Sequence, residues 1–140
     1  MNFFDTSVLV AGVLKNHPRH AECFRLTSAM TSANSCIGVH SLAEMYASLT
    51  SLPGVHRIEP VVALALVEDT RSAVRTILLT ADEYMKSIAA IAPNGLSGGI
   101  AYDALLMAVA RKSTAKKIYT LNPRHFKLVA PELSSRIVEP

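Results

Sequence analysis

The chain opens Met1-Asn2-Phe3-Phe4-Asp5-Thr6-Ser7-Val8-Leu9. Asn2 to Asp5 reads as a short buried strand that ends on a carboxylate, and Ser7 to Leu14 reads as a helix that follows at once. Asp5 has the residue type of a helix N-cap, yet Thr6 and Ser7 could cap as well. If they do, Asp5 is free to do something else. A strand that hands over to a helix at a carboxylate is the first unit of an α/β domain.

The same alternation continues along the chain. Asn16 to Arg19, with Pro18 between two histidines, reads as a turn. Arg19 to Met30 interleaves Ala21, Phe24 and Ala29 with charges, which predicts an amphipathic helix. Ser35 to Val39 is a second short strand, and His40 to Leu52 is helical until Pro53-Gly54 stops it. Pro60 opens a helix through Val67 towards Ser72, as proline suits a first turn. Val74 to Leu79 is strand-like, and Thr80 with Glu83 forms a capping-box pattern for the next helix. After a loop from Pro93 to Gly99, Ile100 to Lys112 is a strongly apolar helix and Lys117 to Leu121 a strand. Asn122-Pro123 starts one more short helix, and Arg136 to Val138 is a last strand. Strands separated by helices predict a three-layer α/β/α fold with a central, mainly parallel sheet. In such sheets functional groups gather at the carboxyl ends of the strands.

At 140 residues the chain fits a single domain, residues 1–140, and half of it is apolar, enough for a sizeable core. No apolar run approaches the roughly 20 residues needed to cross a bilayer, and the first residues lack the basic start of a signal peptide. A cytoplasmic protein with no membrane contact is expected. Cys23 and Cys36 form no CxxC pair, and the five histidines are scattered, which argues against a disulfide framework and against zinc. The charge is uneven. Residues 111–140 hold seven Lys or Arg against two acids, whereas residues 1–110 hold seven against nine. A basic end points to a polyanion, and equally to an ordinary solvated surface.

Of the eleven acidic residues, eight have a Lys or Arg within four positions; Asp5, Glu44 and Asp103 do not. On a helix, Asp103 would share its face with Ile100, Leu106 and Met107, an expensive place for an unpaired charge. A first-turn Asp is also favoured by the helix dipole. Glu44 shares a face with Ser41 and Ser48, opposite Leu42, Tyr46 and Leu49. That is the pattern of a solvent-facing Glu, and a cleft is solvent-facing too. Carboxylates that converge without basic partners repel one another unless a cation sits between them. Oxygen-only ligands favour Mg²⁺ or Mn²⁺, which can activate water and stabilise the oxygens of a phosphodiester displacement. Gly95 to Gly99 lacks the Lys-Ser/Thr of a phosphate-binding loop, and no GxGxxG follows the first strand.

Four motifs, in order, carry a resemblance. Phe4-Asp5-Thr6-Ser7-Val8-Leu9 resembles the opening strand of PIN domains, and Ser41-Leu42-Ala43-Glu44 is similar to their second acidic motif. Tyr102-Asp103-Ala104-Leu105-Leu106, after Gly98-Gly99, looks like the third, and Thr120-Leu121-Asn122-Pro123-Arg124-His125-Phe126 like the fourth. The resemblance covers nearly the whole chain and is closest to VapC-type toxins of bacterial toxin–antitoxin pairs. It implies a ribonuclease with Asp5, Glu44 and Asp103 as metal ligands, Asn122 as a fourth catalytic-site member, and Mg²⁺ or Mn²⁺ as cofactor. It also implies an RNA substrate, a small antitoxin partner and a homodimer. Many family members place Asp where this chain has Asn122, which weakens a second metal position. Asn followed by Pro also simply starts a helix. Arg111, Lys112, Lys116, Lys117, Arg124 and Lys127 are candidates to hold the RNA backbone. Two other readings remain: an RNA-processing PIN nuclease without an antitoxin, and a silent PIN module that only binds RNA or protein.

Overall fold

A computed structural model describes residues 1–140. Strand β1 (Asn2–Phe4) leads into α1 (Thr6–Val13) and α2 (His20–Thr27), followed by β2 (Ser35–Gly38) and α3 (His40–Thr50). Then come α4 (Pro60–Ala73), β3 (Arg75–Ile77), α5 (Ala81–Ile91), α6 (Ile100–Lys112), β4 (Lys117–Tyr119), α7 (Pro123–Val129) and β5 (Ile137–Val138). Short 3₁₀ turns at Gly54–His56, Ala92–Asn94 and Pro131–Arg136 complete the chain. The capping box at Thr80 and Glu83 is formed in both directions.

All neighbouring strands pair in parallel, in the order β3-β2-β1-β4-β5. The register explains the layers. Phe3 lies beside Cys36 on one side and Ile118 on the other, and Ile118 lies beside Ile137. All four join one buried cluster with Leu105, Met107 and Phe126 of α6 and α7. Successive strand residues face opposite sides, so Phe4 and Ile37 enter the other cluster with Val8, Leu9, Met45 and Leu49. Both faces of the sheet are therefore covered by helices. Burying a side chain such as Phe3 contributes roughly 1.5–3 kcal/mol.

Three local readings change. Helix α2 buries Cys23, whereas Phe24 is 54% exposed and Ala21 and Ala29 are exposed as well. The side of α2 that meets α1 is set by close approach: a Cβ on Gly12 would lie 2.6 Å from the Thr27 hydroxyl oxygen. On α3 the buried positions are Ser41, Met45 and Leu49, so Ser41 is not on the solvent side, and Tyr46 is exposed. Strand β3 spans only Arg75–Ile77, and Leu78 just beyond it is 66% exposed.

The winding positions the site. From β1 the chain builds outward through β2 and β3, then returns to place β4 and β5 on the other side of β1. Connections leave β1 and β4 in opposite directions, which opens a crevice at the carboxyl ends of these two strands.

Candidate active site at the carboxyl edge of the sheet

Asp5 is the first residue beyond β1 and is only 4% exposed. It occupies the N-cap position of α1, but its side chain makes no capping hydrogen bond. Instead one oxygen, Oδ2, accepts from the Ser7 hydroxyl at 2.5 Å and the Thr120 hydroxyl at 2.7 Å. Neither hydroxyl bonds Oδ1. Thr6 does not cap either: its hydroxyl donates to Glu44 Oε2 at 2.7 Å. The Ser7 oxygen accepts the Leu121 N–H and the Thr120 oxygen accepts the Asn122 N–H. These bonds tie the ends of β1 and β4 together and hold two carboxylates in place.

Glu44 sits one turn into α3, with His40 Nε2 at 3.6 Å from its Oε1. Asp103 sits in the first turn of α6, with His125 Nδ1 at 3.3 Å from its Oδ2. Asp5, Glu44, Asp103 and Asn122 line one open cavity of about 550 Å³, together with Thr6, Ser7 and His17, and no Lys or Arg lines it. Burial pushes the Asp5 carboxyl above its ordinary range and the charge of Glu44 adds to this, against the Ser7 and Thr120 hydrogen bonds. Burial and then the charge of Asp5 also raise Asp103, with the His125 contact opposing. No Lys or Arg stands beside these carboxylates; His40 and His125 are their basic neighbours. Asn122 starts α7, yet its side chain makes no capping bond, so its amide is available to the cavity it lines.

The structure divides the six basic candidates. Lys116 donates its N–H to the Met1 carbonyl, and Lys117 lies beside Asn2, at the amino ends of the strands. Lys117 is three residues of strand from Thr120, about 10 Å, on the wrong edge for the cavity. Arg111 Nε donates to Glu132 at 2.7 Å, and Lys112 pairs with Glu83 at 2.8 Å. Arg111 follows Asp103 by eight residues of α6, about 12 Å along the axis. Arg124, two residues after Asn122, and Lys127, in the last turn of α7, are exposed and form no ion pair. Sequence reasoning gave no role to Ser7, Thr120, His40 or His125. The motif around Asn122 contains Thr120 and His125, but nothing in it says that they face acids far away in the chain.

The PIN domain profile matches residues 3–131, which spans all four motifs and the whole cavity. The chain belongs to the PIN domain family. Among curated proteins this PIN domain is similar to Ribonuclease VapC40 of Mycobacterium tuberculosis, with 36% identity over 116 residues and 80% of each chain covered. Among solved structures it is similar to VapC20 of the same organism, described as a Sarcin-Ricin loop cleaving toxin. That likeness has a TM-score of 0.68 at 22% identity, covering 84% of this chain and 87% of that one. It is also similar to VapBC2 from Rickettsia felis bound to a DNA fragment from their promoter, with a TM-score of 0.64 at 17% identity. There 99% of this PIN domain and 97% of the other chain are covered. No helix is long and apolar enough to cross a membrane.

The donor set suits a hydrated hard cation. No group of three or more Asp, Glu, His or Cys side chains, Asp5, Glu44 and Asp103 included, is placed to hold a metal ion by itself. The acids line an open cavity, and Mg²⁺ is usually held by one or two carboxylates while it keeps several waters. Asp5 Oδ1 is left without a hydroxyl partner, and no Lys or Arg of the lining neutralises these carboxylates.

Proposed function

We propose that this PIN domain is a divalent-metal-dependent ribonuclease, residues 1–140 forming one nuclease unit, and that it is the toxin of a type II toxin–antitoxin pair. The observation that carries this reading is the gathering of Asp5, Glu44 and Asp103 on one cavity without Lys or Arg. The likeness to Ribonuclease VapC40 supports RNA as the substrate. Asp5 and Asp103 would hold the ion, Glu44 would complete the acidic pocket or orient the attacking water, and the Asn122 amide would offer the pocket a polar group without adding charge. A bound Mg²⁺ or Mn²⁺ supplies the positive charge and water activation that a phosphodiester displacement requires. Ser7, Thr6 and Thr120 keep the carboxylates oriented. Arg124 and Lys127, exposed on α7, hold RNA phosphates. The protein acts in the cytoplasm as a homodimer restrained by a small antitoxin. The exposed Val61, Val62 and Leu64 of α4 offer apolar surface for such partners.

A metal-titrated cleavage assay on short structured RNAs tests the reading. Cleavage should appear with millimolar Mg²⁺ or Mn²⁺ and stop with chelator. Asp5→Asn or Asp103→Asn should reduce it by about two orders of magnitude or more, the scale of losing one member of a catalytic set. Normal cutting by a folded Asp103→Asn protein would remove that residue from the mechanism.

A further inference from the structure

We propose that Tyr102, held flat against His40 and directly preceding Asp103 in the chain, is a stacking platform for an unpaired nucleobase beside the phosphodiester being cut. The inference rests on the ribonuclease reading and extends it to how the substrate is selected.

The two helices that bear site acids, α3 and α6, carry the platform. Tyr102 directly precedes Asp103 in the first turn of α6, and His40 opens α3 one turn before Glu44. Their rings stack with centroids 5.1 Å apart and planes within 8° of parallel. His40 is also tethered at 3.6 Å to Glu44. The tyrosine ring thus has a fixed orientation relative to both carboxylates. Yet Tyr102 is 50% exposed, and its hydroxyl makes no hydrogen bond. The segment that leads to it ends in Gly98 and Gly99, beside which no other atom lies within 4 Å of a would-be Cβ. The aromatic pair Phe4 and Tyr119, by contrast, stacks within the core.

Grip is the second part of the case. RNA brings a phosphate to a cavity whose lining holds three carboxylates and no Lys or Arg. Beyond the metal and the two cations of α7, affinity has to come from contacts that do not depend on charge. A base stacked on an aromatic ring is such a contact, and every base has a flat face to offer. Only an unpaired, splayed nucleotide can present it. The platform therefore selects single-stranded positions such as loops, and favours purines, whose larger rings overlap more.

Cleavage of a hairpin RNA, cut by the wild type in its loop in Mn²⁺, tests this with single abasic residues placed in turn at each position flanking the cut. At one position the abasic residue should lower kcat/KM for the wild type by about five- to a hundredfold, the range that stacking supplies. Tyr102→Phe should retain that positional penalty. Tyr102→Ala and Tyr102→Leu should lose it, because leucine keeps apolar bulk but no flat face. Penalties for Tyr102→Ala and the abasic residue that simply multiply would overturn the platform. If Tyr102→Ala instead changes the oligomeric state with multiplying penalties, the ring belongs to a protein interface and the platform is equally overturned. A wild type that cuts no RNA sinks the ribonuclease reading and this inference with it, whereas cutting with multiplying penalties sinks this inference alone.

Discussion

The two ends of the same parallel sheet are chemically opposite. At the carboxyl edge, Asp5 and Asn122 line a cavity shared with Glu44 and Asp103 and free of Lys and Arg. At the amino edge stand Lys116, Lys117 and Arg75, beside Met1, Asn2 and Cys36. The basic residues are the more conspicuous in a charge count, but strand direction places the chemistry at the other end. A net-charge argument names a class of partner without locating it, whereas topology locates the site before the ligand is known.

The largest expected effect concerns the acidic edge without and with metal. The fold prefers Asp103 neutral, because its folded pKa lies above the ordinary 3.8. Stability from that preference is complete below about pH 3.8 and is lost as the pH rises through the folded pKa. In chelator at pH 7, Asp103→Asn should therefore melt above the wild type, with an advantage that shrinks as the pH falls towards 4. Saturating Mn²⁺ should reverse the order, since a ligand at a hundred times its Kd stabilises by about 2.7 kcal/mol. Equal metal-induced shifts in both proteins would mean that the ion binds elsewhere.

A smaller effect sharpens the role of Asn122. The Asn122→Asp variant adds a like charge to the carboxyl edge, so the metal-free protein should lose stability while metal binding tightens. Each tenfold gain in affinity widens the gap between chelated and metal-loaded melts by about 1.4 kcal/mol. Asp and Asn cap helices about equally, so a gap that does not move would return Asn122 to a purely helical role.

The smallest effect separates the edges directly. Arg124→Ala with Lys127→Ala should flatten the slope of log K against log[salt] for single-stranded RNA by roughly 0.7 per lost phosphate contact. Lys116→Ala with Lys117→Ala should leave that slope alone. A flattened slope from the lysine pair would show that RNA reaches across the amino edge, contrary to the geometry.

Much of this was legible in the sequence, because it lies in local patterns. The strand that runs into Asp5, the box at Thr80 and Glu83 and the apolar run of α6 each declare themselves within a few residues. The absence of basic neighbours around Asp5, Glu44 and Asp103 picked out the three acids that the fold brings to one cavity. What stayed hidden depends on distant partners. Thr120 bonds Asp5 across 115 positions, and no local pattern reports such a pairing. The face of α3 was misjudged at Ser41 because serine is ordinarily a surface residue. Here it is fully buried, and its hydroxyl has no partner. Phe24 deceived in the opposite sense, since the small Cys23 fills the space that α1 leaves.

The Thr120–Asp5 bond also bears on when, during synthesis, the acidic pocket is assembled. Translation delivers Asp5 first, but its hydroxyl partner and the strand that walls the crevice arrive more than a hundred residues later. Domains fold as units during synthesis, so the emerging polypeptide carries its acids in an unassembled arrangement. Competence arrives late, once β4 has left the ribosome and docked against β1. A messenger cut short before that strand yields a product without a finished pocket.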